Sequence, residues 1–270
     1  MSPSRADLCQ CLKEAARTEI LPRFTQAVTT SKADGSVVTA ADYGVQQHII
    51  TALEHAYPTI AVLGEEMPLT EQQQLLDSSG EAVFCLDPLD GTSNFAGGFP
   101  VFAISLALCR AGRAELGVVY DPIRDECFTA EAGQGAWLND TPLRCPAPQT
   151  RLDECLGLVD LKRLGAAYVQ KMGREAPYRS QRNLGSVALD WCWLAAGRGQ
   201  LYLHGGQKLW DYLAGRLIAA EAGASTQLLT REGKAPPAGL SLEPRLAVAA
   251  GNADLFRLWL KWLELPDLLS

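Results

Sequence analysis

The chain is expected to fold as a layered α+β domain. Three observations predict it. Short apolar runs of strand character alternate with amphipathic helical patterns in irregular order, which does not match a strict βαβ array. At 270 residues, 47% of them hydrophobic, the chain has enough apolar side chain to bury a substantial core. There is no internal repeat of solenoid or propeller period and no low-complexity stretch.

The elements follow in order. Residues 5–28 carry a helical period through Leu8, Leu12, Ala15, Ala16 and Ile20, and Pro22 predicts a break near Leu21. Lys32-Ala33-Asp34-Gly35-Ser36 reads as a turn. Thr39 is a good N-cap for a helix over residues 40–55, which puts Asp42 at the third helical position. Pro58 separates that helix from a strand over 60–63, which ends in Gly64-Glu65-Glu66. A second apolar run, residues 82–86, ends in Asp87-Pro88-Leu89-Asp90-Gly91-Thr92-Ser93. Pro88 lacks an N–H and fixes its own φ, so the strand is expected to stop there. Gly91 lets the backbone approach a ligand closely. Thr92 and Ser93 open a short helix whose free N–H groups favour a phosphate.

Residues 101–109 and 115–120 read as strands paired about Ala111-Gly112, and 125–130 and 135–138 extend that sheet. Pro142, Pro146 and Pro148 mark a junction, so one domain of two interlocked halves is expected, 1–145 and 146–270. The second half reads as strand 156–159, helices 162–172 and 186–196, strand 200–204, helix 210–222, strand 246–250 and helix 253–263.

The formal net charge of −7 argues against general binding to nucleic acid or membrane surfaces. It leaves an anionic substrate open, because bound cations reverse the local sign. No run reaches the length of a membrane span and the first residues lack a signal-type apolar stretch, so a soluble cytoplasmic protein is expected. Eight cysteines (Cys9, Cys11, Cys85, Cys109, Cys127, Cys145, Cys155, Cys192) form no C-x-x-C pair and read as buried reduced thiols. His48, His55 and His204 lack the spacing of a zinc site.

Four carboxylates stand out by position: Glu65, Asp87, Asp90 and Asp211. Each sits at the end of an apolar run or the start of a helix. Taken singly they have plain readings. Asp211 would complement a helix dipole, Asp87 and Asp90 would shape a turn, and Glu65 would be solvated. Taken together, metal ligands beside an anion cradle point to phosphate chemistry. Mg²⁺ prefers hard oxygen ligands and commonly joins carboxylates to a substrate phosphate.

Gly64-Glu65-Glu66, then Asp87-Pro88-Leu89-Asp90-Gly91-Thr92, then Trp210-Asp211 resemble the inositol monophosphatase family of magnesium-dependent, lithium-sensitive phosphatases. That family sits in the superfamily of fructose-1,6-bisphosphatases and 3'-phosphoadenosine phosphatases. The resemblance extends to Val38-Thr39-Ala40-Ala41-Asp42 and to Gly185-Ser186-Val187-Ala188, and so covers most of the chain. It implies an α/β/α/β/α sandwich, a homodimer and two or three Mg²⁺ ions. Glu65, Asp87 and the Leu89 carbonyl would hold one ion. Asp87, Asp90 and Asp211 would hold a second, and Glu65 would help bind a third through water. Gly91, Thr92 and Ser93 would receive the phosphate, with Gly185 and Ser186 nearby. Thr92, paired with Asp42, would orient and deprotonate the attacking water. Lys32 matches a family lysine near the phosphate, and an exposed turn lysine is the equal alternative.

The substrate side departs from the inositol-phosphatase pattern. His204 occupies the position seven before Asp211 where that pattern has an acid contacting substrate hydroxyls. A histidine there can bond a sugar hydroxyl or simply end a strand. The expected activity is hydrolysis of a small sugar or polyol phosphate. A 3'-phosphonucleotide or histidinol phosphate is the alternative substrate. A transcription- or RNA-associated binding role is the alternative of another class. Lys162, Arg163, Lys171, Arg174, Arg179 and Arg182 form a basic stretch, read as a solvated surface or as a rim for an anionic partner.

Overall fold

In the computed structural model the residues described are 2–24, 29–31, 37–78, 82–146 and 148–268. Ser4 caps the first helix, α1 (Arg5–Ala15), by accepting from Asp7 N. The helix continues through a wider turn, Ala16–Ile20, and a 3-10 turn, Leu21–Arg23, where Pro22 ends it as expected. The remainder of the predicted helix and Lys32 lie outside the described residues. A short antiparallel pair, β1 (Thr29–Ser31) and β2 (Val37–Thr39), precedes α2 (Ala40–Ala56).

Next come β3 (Ala61–Gly64), α3 (Leu69–Ser78), β4 (Ala82–Asp90) and α4 (Thr92–Ala96). An antiparallel meander follows: β5 (Ala103–Arg110), β6 (Arg113–Asp121), β7 (Glu126–Glu131), β8 (Gly135–Leu138) and β9 (Thr141–Leu143). The strands β3 to β9 form one seven-stranded sheet in sequence order, with only β3 and β4 parallel. Pro142, expected in the junction, lies in β9, an edge strand where a missing N–H is tolerated.

The later part contains β10 (Leu156–Asp160), α5 (Ala166–Glu175), β11 (Ser180–Arg182), α6 (Val187–Ala195) and β12 (Leu201–Gln207). Then come α7 (Leu209–Glu221), β13 (Ser225–Leu229), β14 (Arg245–Ala250) and α8 (Ala253–Leu263). Helix α5 begins later than its sequence pattern suggests. Asp160 Oδ1 accepts from Lys162 N at 2.9 Å and closes a 3-10 turn first. The strand order of the second sheet is β11-β10-β12-β14-β13.

Three cores define the layers. The side chains of α1 and α2 pack on one face of the large sheet, through Leu12, Ile49, Phe84 and Leu106. Helices α6 and α7 fill the space between the two sheets, through Trp191, Leu194, Ala214 and Ile218. Helix α8 covers the far face of the second sheet through Phe256 and Trp259. The result is the α/β/α/β/α sandwich. Each of these fully buried large side chains contributes about 1.5–3 kcal/mol. The middle core joins residues from before and after the proline junction into one packed unit. At Gly117 in β6, a Cβ would stand 2.9 Å from the Ala214 carbonyl oxygen, so α7 lies close against the sheet only because that position has no side chain.

Two expectations need correction. The strand β4 does not stop at Pro88 but runs to Asp90. Asp87 pairs with Ser105 and Asp90 with Ala103, so three steps on β4 oppose two on β5. This is a bulge, where the missing proline N–H breaks no ladder bond. The cysteines are not all free thiols: Cys9 and Cys127 are bonded to each other. Helix α1 packs across β6 and β7, which brings positions 118 apart in sequence together. The other six cysteines are free. Among the described residues, no helix is long and apolar enough to cross a membrane.

Candidate active site

The bulge in β4 explains why Asp87 and Asp90 converge. In a regular strand, residues three apart face opposite sides of the sheet. One extra residue restores the same side. Leu89 N donates to Asp87 Oδ1 at 3.0 Å, which fixes the turn of the bulge around Pro88. Glu65 follows the parallel neighbour β3, and its N–H donates to the Leu86 carbonyl at 3.1 Å, so it extends the ladder beside Asp87. Gln72 on α3 donates to the carbonyls of both Gly64 and Glu65 at 3.0 Å and steadies this strand end.

Asp211 arrives from the other half. It lies in the first turn of α7, where its Oδ2 accepts from Lys208 N at 2.8 Å. Ser105, the β5 partner of Asp87, donates its hydroxyl to the Trp210 carbonyl at 3.1 Å. That bond pins the start of α7 over the bulge. Asp90 Oδ2 accepts from Ser186 Oγ at 2.6 Å and from Ala188 N at 2.7 Å, so the start of α6 is tied to the same point.

The four acids sense one another. Burial pushes the Asp87 carboxyl well above the usual carboxylate range, and Glu65, Asp90 and Asp211 add to the rise. Asp211 is raised well above that range by burial, then by Asp90 and Glu65. Asp90 is raised by burial, against the opposing hydrogen bonds from Ser186 and Ala188. Among the described residues, no three His, Cys, Asp or Glu side chains close on one common point. The aspartates are instead turned toward their local donors, as expected of like charges in a poorly solvated place. The donor set is all oxygen, the chemistry that suits Mg²⁺.

Beside the acids stands the turn into α4. Gly91 has φ +92°, and a Cβ there would meet the Val101 carbonyl oxygen at 3.0 Å. Asn94 donates to the carbonyls of Val101 and Leu184 at 2.7 Å each, which holds the Gly185 loop against α4. Thr92 Oγ1 lies 2.9 Å from the Leu89 carbonyl oxygen and 3.1 Å from Asp42 Oδ1, with its hydroxyl directed to these acceptors. Asp42 is buried in the first turn of α2, where its Oδ2 accepts from Thr39 N and Thr39 Oγ1, both at 2.7 Å. Burial raises the Asp42 carboxyl, and the Thr39 and Thr92 bonds oppose that rise.

His204 sits deeper. It is 5% exposed and faces Asp160 across the paired strands β12 and β10, Nε2 to Oδ2 3.6 Å. Gly206 N donates to His204 Nδ1 at 3.3 Å, so Nδ1 is the bare nitrogen. Burial lowers the imidazole pKa to about 4, although Asp160 opposes the shift.

Thus Asp42, Glu65, Asp87, Leu89, Asp90, Gly91, Thr92 and Asp211 are joined by direct bonds or by electrostatic coupling. Ser93 lies exposed on α4, next in sequence to Thr92. Gly185 is at the loop that Asn94 holds. Ser186 serves Asp90 and caps α6 by accepting from Leu189 N at 3.3 Å. Sequence reasoning missed Asn94, Gln72 and the buried Asp190, whose Oδ1 has no hydrogen-bond partner among the described residues. The Asp-Gly-Thr-Ser-Asn run offered a signal for Asn94, since amide side chains commonly tie turns. Helix α3 offered little, being a short glutamine-rich segment.

The model of the inositol monophosphatase family matches residues 5–258. A protein of Pasteurella multocida named Nus factor SuhB is 37% identical over 199 residues, covering 72% of this chain and 73% of its own length. An inositol-1-monophosphatase of Mesorhizobium japonicum is 34% identical over 240 residues, covering 87% and 85%. The crystal structure of the extragenic suppressor protein suhB of Bartonella henselae superposes with a TM-score of 0.81 at 29% identity, covering 97% of this chain and 99% of that one.

Proposed function

This chain belongs to the inositol monophosphatase family, and from that premise we propose that it is a Mg²⁺-dependent phosphomonoesterase acting on a small sugar or polyol phosphate. The observation that carries the reading is the coupling of Asp87 with Glu65, Asp90 and Asp211 beside the Gly91-Thr92 turn. Members of the family bind Mg²⁺. Here Glu65, Asp87 and the Leu89 carbonyl would hold one ion, Asp87, Asp90 and Asp211 a second, with Glu65 near a third. When bound, Mg²⁺ neutralises these acids, lowers the pKa of water and stabilises the departing oxygen.

The chain's own residues do the rest. The backbone at Gly91, Thr92 and Ser93, with the Gly185-Ser186 loop, receives the phosphate oxygens. Thr92 Oγ1 donates toward Asp42 and keeps lone pairs for the attacking water. Asp42, raised by burial, takes up the proton delivered through Thr92. Ser186 and Lys208 N orient Asp90 and Asp211 before substrate arrives. His204, held by Asp160, would serve the substrate side.

The deciding experiment is phosphate release from a panel of sugar, polyol, 3'-nucleotide and histidinol phosphates, with and without Mg²⁺ and Li⁺. Mg²⁺-dependent release, inhibited by Li⁺ and abolished in Asp90→Asn, is expected. Full turnover by purified Asp90→Asn protein sinks the metal assignment.

A second reading has its own support, because relatives named Nus factor SuhB match at 34–37% identity. In that reading the chain, as a homodimer, binds a transcription partner through the exposed Lys162, Arg163, Arg174, Arg179 and Arg182. RNA polymerase retained by Asp90→Asn protein but lost by Arg179→Glu/Arg182→Glu protein supports it. No capture by the unaltered chain removes it.

A further inference from the structure

A half-open cavity of about 510 Å³ lies along α7, lined by the β5–β6 turn, strand β13 and the segment 236–240. Its size is that of a small-metabolite pocket. Glu65, Asp87, Asp90 and Asp211 are not part of its wall. The wall contains three arginines, Arg113, Arg216 and Arg245, and no aspartate or glutamate among the described residues.

Several arginines elsewhere in the chain are matched by acids. Arg198 pairs with Glu126 and Arg124 with Asp121. Arg113, Arg216 and Arg245 have no carboxylate within ion-pair distance among the described residues. Arg245 is 5% exposed, at the start of β14. Arg216 Nε donates to Thr226 Oγ1 at 3.2 Å, which aims the rest of its guanidinium. The Tyr212 hydroxyl interacts with both Arg245 and Arg216 and is in hydrogen-bond contact with Arg245. Burial lowers the Arg216 pKa, the direction expected of a cation held without a counter-charge.

Burying guanidinium groups such as those of Arg216 and Arg245 without a counter-charge is costly, and a bound anion relieves that cost. Planar arginine forks match carboxylate and phosphate oxygens. The remaining wall is apolar, through Leu213, Leu217 and Leu228. We propose that this cavity is a second, non-catalytic site for a small organic anion, a phosphate or carboxylate on an apolar body. Arg216, Arg245 and the Tyr212 hydroxyl hold the charged end, Arg113 stands at the mouth, and the leucines meet the body.

The test is binding, independent of turnover and of the metal site. The full chain is titrated calorimetrically in EDTA with phenylphosphonate, which phosphatases do not hydrolyse, and separately with benzoate. One site per chain is expected for at least one probe, and the stronger probe identifies the head group. Arg245→Gln and Arg216→Gln should each weaken binding roughly tenfold or more. Asp90→Asn should leave it unchanged. Should an arginine variant fail to fold by circular dichroism, Tyr212→Phe serves instead, with binding weakened several-fold. No binding of either probe, binding indifferent to all three substitutions, or binding lost in Asp90→Asn overturns the proposal.

Discussion

Thr92 Oγ1 bonds Asp42 Oδ1 at 3.1 Å, joining residues 50 positions apart. Thr39 occupies the other carboxylate oxygen of Asp42 with two donors, which leaves Oδ1 as the oxygen that meets Thr92. In the proposed mechanism this pair is the proton path. Thr92→Val and Asp42→Asn should each lower kcat about 10²-fold or more with a smaller effect on KM, and Thr92→Ser should retain most of the rate. Steady-state kinetics on the substrate found by the panel check this. Because burial raises Asp42 and the base acts when ionised, the acidic limb of kcat should lie above the usual carboxylate range.

Stability without metal should depend on pH in an unusual direction. Asp42, Asp87, Asp90, Asp190 and Asp211 all have raised carboxyl pKa values in the folded state. The folded chain therefore binds protons more tightly than the unfolded one. Their contribution is fully present below the unfolded carboxylate pKa and is lost as pH rises through the folded values. In EDTA, the melting temperature should rise as pH falls from neutral into the weakly acidic range. Mg²⁺ should restore stability at neutral pH by neutralising the cluster. Asp190→Asn should remove part of the slope in EDTA without altering the Mg²⁺ effect. Calorimetric melts across pH, with each additive, are the measurement.

His204 works the other way. With its pKa lowered to about 4 from 6.5, it stays neutral through the physiological range. Its contribution is lost as pH falls below the unfolded value. The imidazole resonances of His204 should titrate well below those of an ordinary histidine. Asp160→Asn should lower the midpoint further, since the Asp160 carboxylate is what favours the charged ring. A midpoint near 6.5 by nuclear magnetic resonance contradicts the buried geometry.

Gly91 is held at φ +92° with the Val101 carbonyl against it. Gly91→Ala should cost about 1–2 kcal/mol from the backbone conformation alone, and the displaced turn should lower activity further. Urea denaturation and kinetics on the same preparation separate the two effects. An alanine variant with unchanged stability shows that the turn is not strained.

Much of the architecture was legible because local signals and tertiary packing agree. Thr39 and Asp42 announce the start of α2, and both form the expected cap. Pro22 ends the first helical stretch. The Ala111-Gly112 turn joins β5 and β6. Other elements had no strong local signal. Strands β11 and β13 exist because neighbouring strands offer them ladders, and a short polar segment such as β11 carries little pattern of its own. The bond between Cys9 and Cys127 depends on how α1 crosses the sheet, which no spacing reveals.

The Asp-Pro-Leu-Asp-Gly-Thr run was readable from its residue types: acids, a proline without an N–H, and a glycine free to turn. Those are properties of single residues, and they carry the family and the kind of chemistry proposed. Their convergence is another matter. A one-residue bulge turns Asp87 and Asp90 to one side, and Ser105 ties the helix of Asp211 above them. Likewise Arg216 and Arg245, 29 positions apart in the sequence, share a cavity whose described wall holds no acid, because α7 packs against β13, the ladder partner of β14. Sequence records which groups are present; long-range packing sets which of them lose water together, and burial in company is what shifts their charge states.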